Sequence, residues 1–148
     1  MRLIRAELSH APALAELNRQ LIRDEGHRNR MTLEQLEQRM KSWLAGEYEA
    51  HLIHDNDRLA GYALARREDE HVYIRQFFIV PAMRRRGLGR AAMEQLADHE
   101  WSGSRLQLDV LVSIQAGIAF WRAVGFGDYC LTMDREGQPG VRDHSEGR

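Results

Sequence analysis

A basic, glycine-bearing loop at residues 84–90 has the residue types and spacing best suited to chemistry on a charged ligand. It follows an apolar run, residues 77–80, that Pro81 ends because proline cannot donate to a sheet ladder. An amphipathic helix then begins, and the first N–H groups of a helix lack intrahelical partners and favour an anion. Gly87 and Gly89 let an anion approach that backbone, and the arginines add charge-assisted donors. The loop is therefore predicted to bind phosphate.

Two familiar phosphate-binding patterns fit the loop poorly. A P-loop needs a lysine followed by Ser or Thr after its last glycine, and neither is present. The dinucleotide pattern is matched by Gly87-x-Gly89-x-x-Ala92, with Asp109 about 20 residues on. However, six residues separate Val80 from Gly87, whereas a dinucleotide turn follows its strand tightly. Too little chain remains for further βαβ units, so dinucleotide binding stays the weaker alternative.

Two segments of the chain resemble the signatures of one enzyme family. The first is Ile79-Val80-Pro81-x-x-Arg84-x-x-Gly87-x-Gly89, and the second is the run Gly-Ile-Ala-Phe-Trp-Arg-Ala-Val-Gly-Phe at residues 117–126. The first resembles the Arg/Gln-x-x-Gly-x-Gly/Ala signature with which GNAT N-acetyltransferases cradle the pyrophosphate of coenzyme A. The second is similar to the AxxFYxxxGF segment of the same family. Both occur in the family's order, about 30 residues apart, and the resemblance covers roughly residues 2–135.

The resemblance implies acetyl-CoA as a cosubstrate and assigns residues to bind it. Main-chain groups of the strand before the loop would pair with pantetheine. Trp121 in the second motif is expected to pack beside that arm or in the core. The implied set is Phe78, Ile79 and Val80 from the strand, Arg84, Arg85, Arg86, Gly87, Leu88, Gly89 and Arg90 from the loop, and Trp121 from the second motif. An exposed strand N–H would also polarise the thioester carbonyl.

Acid–base residues are harder to assign. Family members often carry a glutamate or histidine near the positions of Tyr73 and Arg75, which are predicted to share one strand face with Phe77. A neutral phenol is a poor base near pH 7, so Tyr73 is a candidate to orient a water. The resemblance places the polar junction between the two early helices at the mouth of the acceptor site, so Glu25 and His27 in it are candidates to hold or deprotonate an ammonium.

The second motif departs from the family at the proton donor. Trp121 stands where many members have the tyrosine that protonates the leaving thiolate, so no acid is assigned. This leaves an alternative open, a non-catalytic acyl-CoA-binding sensor or partner domain. The main interpretation is transfer of an acetyl group from acetyl-CoA to a small-molecule or peptide amine, by direct attack on the thioester. The acidic pair Asp24 and Glu25 predicts a preference for cationic amines.

The hydrophobic periodicity predicts a single-domain α/β fold of order βααβββαβαβ around a mixed, mostly antiparallel sheet. Ser9 is predicted to cap the first helix, and Thr32 and Gln35 form a capping box for the second, which Gly46 ends. A hairpin turns at residues 55–58. The predicted strands are residues 2–6, 49–54, 59–66, 71–80, 105–112 and 129–133, with a last helix at 114–124.

Composition limits the remaining classes of function. The chain has 148 residues and a net charge of −1, which argues against nucleic acid or an anionic membrane as a partner. Cys130 is the single cysteine, and the seven histidines show no metal-binding spacing, so no metal is expected. No apolar run approaches 18 residues, which favours a cytoplasmic protein. Residues 1–135 are predicted to form the domain and 136–148 a disordered tail, with a homodimer as an option that the resemblance implies.

Overall fold

The computed structural model describes residues 1–26 and 28–140, and within them the chain forms an α/β domain. One sheet has five strands in the order β1-β2-β3-β4-β5, flanked by four α-helices, which confirms the predicted fold class. The elements are β1 Arg2–Arg5, α1 Ala11–Asp24, α2 Leu33–Ala45, β2 Tyr48–Asp55, β3 Arg58–Arg67, β4 His71–Ile79, α3 Leu88–Gln95, β5 Arg105–Leu108 and α4 Gln115–Ala123. A π-helical turn, Leu96–Glu100, extends α3.

Neighbouring strands from β1 to β4 run antiparallel, and β5 returns parallel to β4 after α3. The predicted β2–β3 hairpin is confirmed, because Asn56 and Asp57 at its tip have φ of 49° and 64°. Two such left-handed residues match the right-handed twist of paired strands. The Thr32–Gln35 capping box of α2 is also confirmed. Ser9 does not cap α1, because it lies in a 3₁₀ turn, Leu8–His10, that precedes the helix.

The helices cover both faces of the sheet. One face packs against α1 and α2 through a buried cluster that contains Leu14, Leu21, Met40, Tyr62 and Phe78. The other face packs against α3 and the π-helical turn through clusters that contain Ala63, Ile74, Leu88, Met93 and Trp101. Burying the sheet on both sides leaves its edges and strand ends as the places where a ligand can reach the backbone.

A β-bulge in β4 changes the face of its second half. Leu64 lies opposite Gln76 and Ala65 opposite Ile74, so Arg75 is an extra residue in the β4 ladder. Tyr73, Arg75 and Phe77 were predicted to share one face, and this prediction is wrong for Phe77. Phe77 packs on the face that α3 covers, against the cluster that contains Met93, whereas Arg75 stacks on Trp43 of α2, on the opposite face.

The C-terminal part of the sheet is smaller than the sequence predicts. Residues 129–133 form no strand, and Tyr129, Leu131 and Met133 are 71%, 66% and 82% exposed. Alternating apolar residues favour a strand only where a neighbour and a core are present to pack against. Strand β5 also ends at Leu108 rather than at residue 112. Residues 141–148 of the predicted tail lie outside the described part of the chain, and the domain boundary at residue 135 stays a prediction.

Candidate active site

A slot with a volume of about 510 Å³ opens where β4 leaves β5. The two strands pair only from His71 to Ile74 on β4, so the β5-facing edge of β4 is open from Arg75 onward. Backbone N–H and C=O groups on such an edge can pair with an extended ligand. The residues that line the slot include β4 residues 74–79, loop residues 83–85 and 87–90, residues 108–110 at the end of β5, Phe120 and Trp121 of α4, and Asp24 and Glu25 at the end of α1.

One end of the slot is a row of unused backbone donors. The six successive amides of residues 85–90 donate to no acceptor among the described residues. Arg85 and Gly87 have φ of 63° and 73°, and such left-handed residues curve a loop so that successive N–H groups converge into an anion-binding nest. An L-residue such as Arg85 in this conformation costs roughly 1–2 kcal/mol. The three last amides belong to the first turn of α3, where the helix dipole also favours an anion.

The arginines of the loop do different things. Arg84 donates through Nε to the Ile79 carbonyl at 2.9 Å, and its terminal nitrogens bind the Asp24 carboxylate at 2.7 and 3.3 Å. Arg84 therefore ties the loop to the end of β4 and to α1. Arg85 and Arg86 are exposed and have no ion pair among the described residues, so their charges face solvent at the mouth of the nest.

Arg90 is paired with Glu94 one helical turn later, at 3.1 Å. Leu88, which the sequence places in the cofactor set, is buried in the cluster under α3, so only its amide belongs to the nest. The structure therefore offers a ligand the backbone of this loop and two of its four arginine side chains.

Gly89 lies against an aromatic wall. A Cβ at this position would lie 3.2 and 3.3 Å from two atoms of the Phe120 ring and 3.6 Å from the Ile79 side chain. The missing side chain thus allows α4 to pack against the first turn of α3. Phe120 in turn lies 5.8 Å from Phe77 and 4.9 Å from Trp121, measured between ring centroids.

Trp121 belongs to the same aromatic cluster. Its ring makes edge contacts with Phe77 at 5.4 Å and with Phe126 at 5.2 Å, and it also lines the slot. Edge-to-face pairs of this kind add packing energy beyond the area that they bury. Trp121 therefore forms an apolar wall of the slot, and its packing beside the pantetheine arm stays a prediction.

The strand residues before the loop differ in what they offer a ligand. The Phe78 side chain is buried on the α1–α2 face, so its contribution to the slot is backbone. The Ile79 carbonyl already accepts from Arg84, and the Val80 N–H donates to the Ala60 carbonyl at 2.8 Å. The open backbone groups of β4 consequently lie nearer to Arg75 than to Pro81.

The candidate acid–base residues are only partly brought together. Glu25 lines the slot immediately after α1, and His27 lies outside the described residues. The Tyr73 hydroxyl donates to the Asp109 carboxylate at 2.8 Å, and Asp109 lines the slot. This bond joins residues 36 positions apart, so no local sequence pattern predicts it. Tyr73 is thereby placed to orient Asp109 at the slot.

Sequence reasoning missed a group of arginine and aromatic side chains beside the slot. Arg39 and Arg75 both lie over the Trp43 ring, and Arg66 and Arg75 lie over Tyr48. These residues come from α2, β2, β3 and β4, and no spacing along the chain connects them. Burial and the nearby charge of Arg75 lower the pKa of Arg39 to about 10.

The described residues contain neither a metal-binding cluster nor a membrane-spanning helix. No set of three or more His, Cys, Asp or Glu side chains there is grouped so that it could hold a metal ion. No helix in residues 1–26 or 28–140 has the length and apolar character needed to span a membrane.

Comparison with solved structures shows the same fold in other proteins, among them an aminoglycoside N-acetyltransferase. A mutant of the BH1408 protein from Bacillus halodurans superposes with a TM-score of 0.76 at 18% identity, over 93% of this chain and 100% of that one. Aminoglycoside N-acetyltransferase AAC(6')-Iy in complex with CoA gives 0.72 at 13% identity, over 93% and 94% of the two chains. A predicted acetyltransferase from Clostridium acetobutylicum, solved with acetyl-CoA, gives 0.72 at 15%, over 91% and 95%.

The sequence itself has no significant match among curated proteins. The model of the acetyltransferase (GNAT) family matches residues 13–126, which include the β4–α3 loop, the slot and the aromatic wall of α4. The match spans well over half of the 148 residues. The chain therefore belongs to the GNAT acetyltransferase family.

Proposed function

We propose that the protein transfers the acetyl group of acetyl-CoA to the nitrogen of an amine acceptor, by direct attack of the amine on the thioester. The observation that carries this proposal is the union of three features in one slot: six unused amides at residues 85–90, the open edge of β4 and an apolar aromatic wall. This combination suits a ligand with an anionic head and an extended, partly apolar arm.

The loop supplies the anion site for the pyrophosphate of coenzyme A. Converging amides and the dipole of α3 stabilise negative charge without a metal ion, and Arg85 and Arg86 add positive charge at the rim. Arg84 acts indirectly, because its bonds to Ile79 and Asp24 hold the loop against β4 and α1.

The open edge of β4 orients the acyl arm. Main-chain groups from Arg75 onward pair with the amides of pantetheine, and an unpaired N–H donates to the thioester carbonyl as negative charge develops on its oxygen. Phe120 and Trp121 form the opposite wall and exclude water from the arm. Holding the thioester and the amine in one slot supplies part of the catalysis by itself.

The amine is deprotonated on the α1 side of the slot. A lysine-like amine has a pKa near 10.4 and is mostly protonated at neutral pH. Only its small neutral fraction can attack the thioester, unless a base removes the proton. Glu25 lines this side directly, and Asp109, oriented by Tyr73, lines the other. The leaving thiolate has a pKa near that of cysteine, about 8.5, so its departure needs little help from an acid. Trp121 at the usual tyrosine position is therefore compatible with turnover.

The decisive experiment pairs binding with turnover. Calorimetry with coenzyme A and thiol release from acetyl-CoA over a panel of primary amines should show saturable binding and amine-dependent turnover. We expect kcat/KM for the amine to rise from pH 6 to pH 9, and Glu25→Gln to raise KM for the amine more than KM for acetyl-CoA. Trp121→Phe should cost packing, yet it should leave the shape of the pH profile unchanged because it removes no acid.

The outcomes separate the candidate functions. Tight binding of coenzyme A with no thiol release for any amine would favour an acyl-CoA sensor over an enzyme. A descending limb above pH 8.5 that disappears in Tyr73→Phe would identify Tyr73 as an acid, and the argument from the leaving thiolate would then be wrong. Absence of coenzyme A binding would reject the proposal.

A further inference from the structure

A group of stacked cations lies on the α1–α2 face of the sheet, next to the open edge of β4. The guanidinium carbons of Arg39 and Arg75 lie 4.5 and 4.8 Å from the centroid of the Trp43 ring. Tyr48 continues the stack, since Arg66 lies 5.3 Å and Arg75 lies 5.9 Å from its ring centroid. Of these three arginines, Arg75 is the one that lines the slot.

The neighbours of Arg75 leave most of its hydrogen-bonding capacity unused. Arg66 is paired with the Glu68 carboxylate, and Arg39 donates to the Asn18 side-chain oxygen at 3.0 Å. Arg75 has one hydrogen bond, to the Tyr48 hydroxyl at 3.4 Å, and its Nε is buried without an acceptor among the described residues. No carboxylate in residues 1–26 or 28–140 lies within 4 Å of it. A guanidinium has five N–H donors in a planar fork that matches a carboxylate.

The excess of positive charge around Arg75 also favours an anion at this position. Burial is the main cause that lowers the pKa of Arg39, and repulsion by Arg75 is the next, so the two cations are close enough to disfavour each other. Two acidic residues, Asp24 and Glu25, also line this side of the slot, but Asp24 is bound by Arg84 and neither carboxylate forms an ion pair with Arg75. An anion at Arg75 would relieve the repulsion and satisfy the unused donors.

The anion of coenzyme A is too far away to fill this role. Arg75 precedes the end of β4 by four residues, and the phosphate nest begins six residues after that end, so the strand alone separates them by about 13 Å. The acyl arm spans that distance, and its reacting end reaches the part of the slot that Arg75 lines. An acceptor bound at the reacting end of that arm would lie within reach of Arg75.

We infer that Arg75 binds a carboxylate of the acceptor, so that the substrate is an amine that also carries a carboxylate, as an amino acid or a peptide does. This inference rests on the proposed acetyl transfer and narrows its acceptor. It also revises the preference for purely cationic amines that Asp24 and Glu25 predict from the sequence, because Arg84 already binds one of the two.

The first test compares amino acids with their C-terminal amides, over a panel of side chains, by thiol release from acetyl-CoA. Amidation removes the carboxylate but also changes the pKa of the amine, so the deciding quantity is the acid-to-amide ratio of kcat/KM in each variant. This ratio should fall about 10- to 100-fold in Arg75→Gln, the size expected for charge-assisted hydrogen bonds. In Arg75→Lys, which keeps the positive charge, the acid-to-amide ratio should lie between those of wild type and Arg75→Gln.

Arg105→Gln is the matched control. Arg105 also stacks on an aromatic ring, that of Tyr129 at 5.2 Å, but it does not line the slot, so the ratio should stay at the wild-type value. Turnover with simple amines together with an equal ratio in wild type and Arg75→Gln would overturn the carboxylate site and leave the proposed acetyl transfer intact.

A second measurement needs no turnover. N-acetylglycine should change the fluorescence of Trp43 saturably, both with and without bound coenzyme A, whereas N-acetylglycinamide should not. The response should vanish in Arg75→Gln and in Trp43→Phe, with urea midpoints confirming that both variants fold. Equal responses to acid and amide, or none to either, would overturn the inference even if no amine supported thiol release.

Discussion

Replacing Gly89 by valine tests how the first turn of α3 is packed. A Cβ there would lie 3.2 Å from the Phe120 ring, tighter than normal van der Waals contact, and valine adds two further methyl groups. Overpacking of this kind costs about 1–3 kcal/mol, and the better helix propensity of valine returns only a few tenths. We therefore expect the free energy of unfolding to fall by about 1–3 kcal/mol. The sequence alone predicts something different, a blocked pyrophosphate site in an intact fold.

The assay is urea unfolding at pH 7 combined with calorimetry of coenzyme A. Affinity should fall at least about tenfold, since moving α3 by a fraction of an ångström disturbs the amides of the nest. Phe120→Leu in the same background should restore stability, with a coupling energy of about 1 kcal/mol or more. Gly127→Val is the control, because a Cβ at Gly127 meets nothing within 4 Å. Wild-type stability with binding lost would refute this reasoning, because the Cβ would then face the ligand.

Three further outcomes are expected. Gly61→Ala should lower the free energy of unfolding by at least about 2 kcal/mol, because the new Cβ would lie 1.9 Å from a β4 carbonyl oxygen. Gly127→Ala should leave the free energy of unfolding unchanged, and equal urea midpoints for the two variants would contradict this prediction. Arg85→Ala and Arg86→Ala should each weaken coenzyme A binding at low salt by about 1–2 kcal/mol. This loss should shrink in 0.5 M salt, because both side chains are exposed and salt screens their charge. A loss that does not depend on salt would show that their charge is not the cause. Burial lowers the pKa of His51 below its usual 6.5, so the unfolded chain binds a proton at this residue more readily than the folded chain does. The free energy of unfolding should therefore fall as the pH drops below about 6.5. His51→Gln should flatten this decline, and an unchanged slope would exclude His51 as its source.

Local sequence patterns predicted the framework correctly. The run of basic residues and glycines at 84–90 forms a turn with unused amides before a helix, as its composition indicates, and anion binding there stays a prediction. Thr32 caps α2, and the hairpin turns at Asn56 and Asp57. Each of these features depends on residues within one or two turns of each other, so the sequence contains all the interactions that decide it.

The assignment of side chains within the loop depended on distant contacts. Three neighbouring arginines look equivalent in sequence, yet Arg84 is bound to Asp24, 60 residues earlier. Gly89 looks like a ligand contact, yet it faces Phe120 of α4. Such differences arise because tertiary packing selects one partner for each side chain, and the spacing of residues along the chain does not encode that choice.

The family motifs and the periodicity of the chain were sufficient to predict the family and the fold class, and they are the origin of the proposal that the loop binds coenzyme A. Only the tertiary structure decided which side of the sheet each β4 residue faces, because one extra residue, Arg75, reverses the alternation after it. It also decided that residues 129–133 stay exposed rather than join the sheet. In both cases strand periodicity describes a residue's neighbours along the chain, whereas pairing register and strand partners are set by hydrogen bonds and packing between segments far apart in sequence.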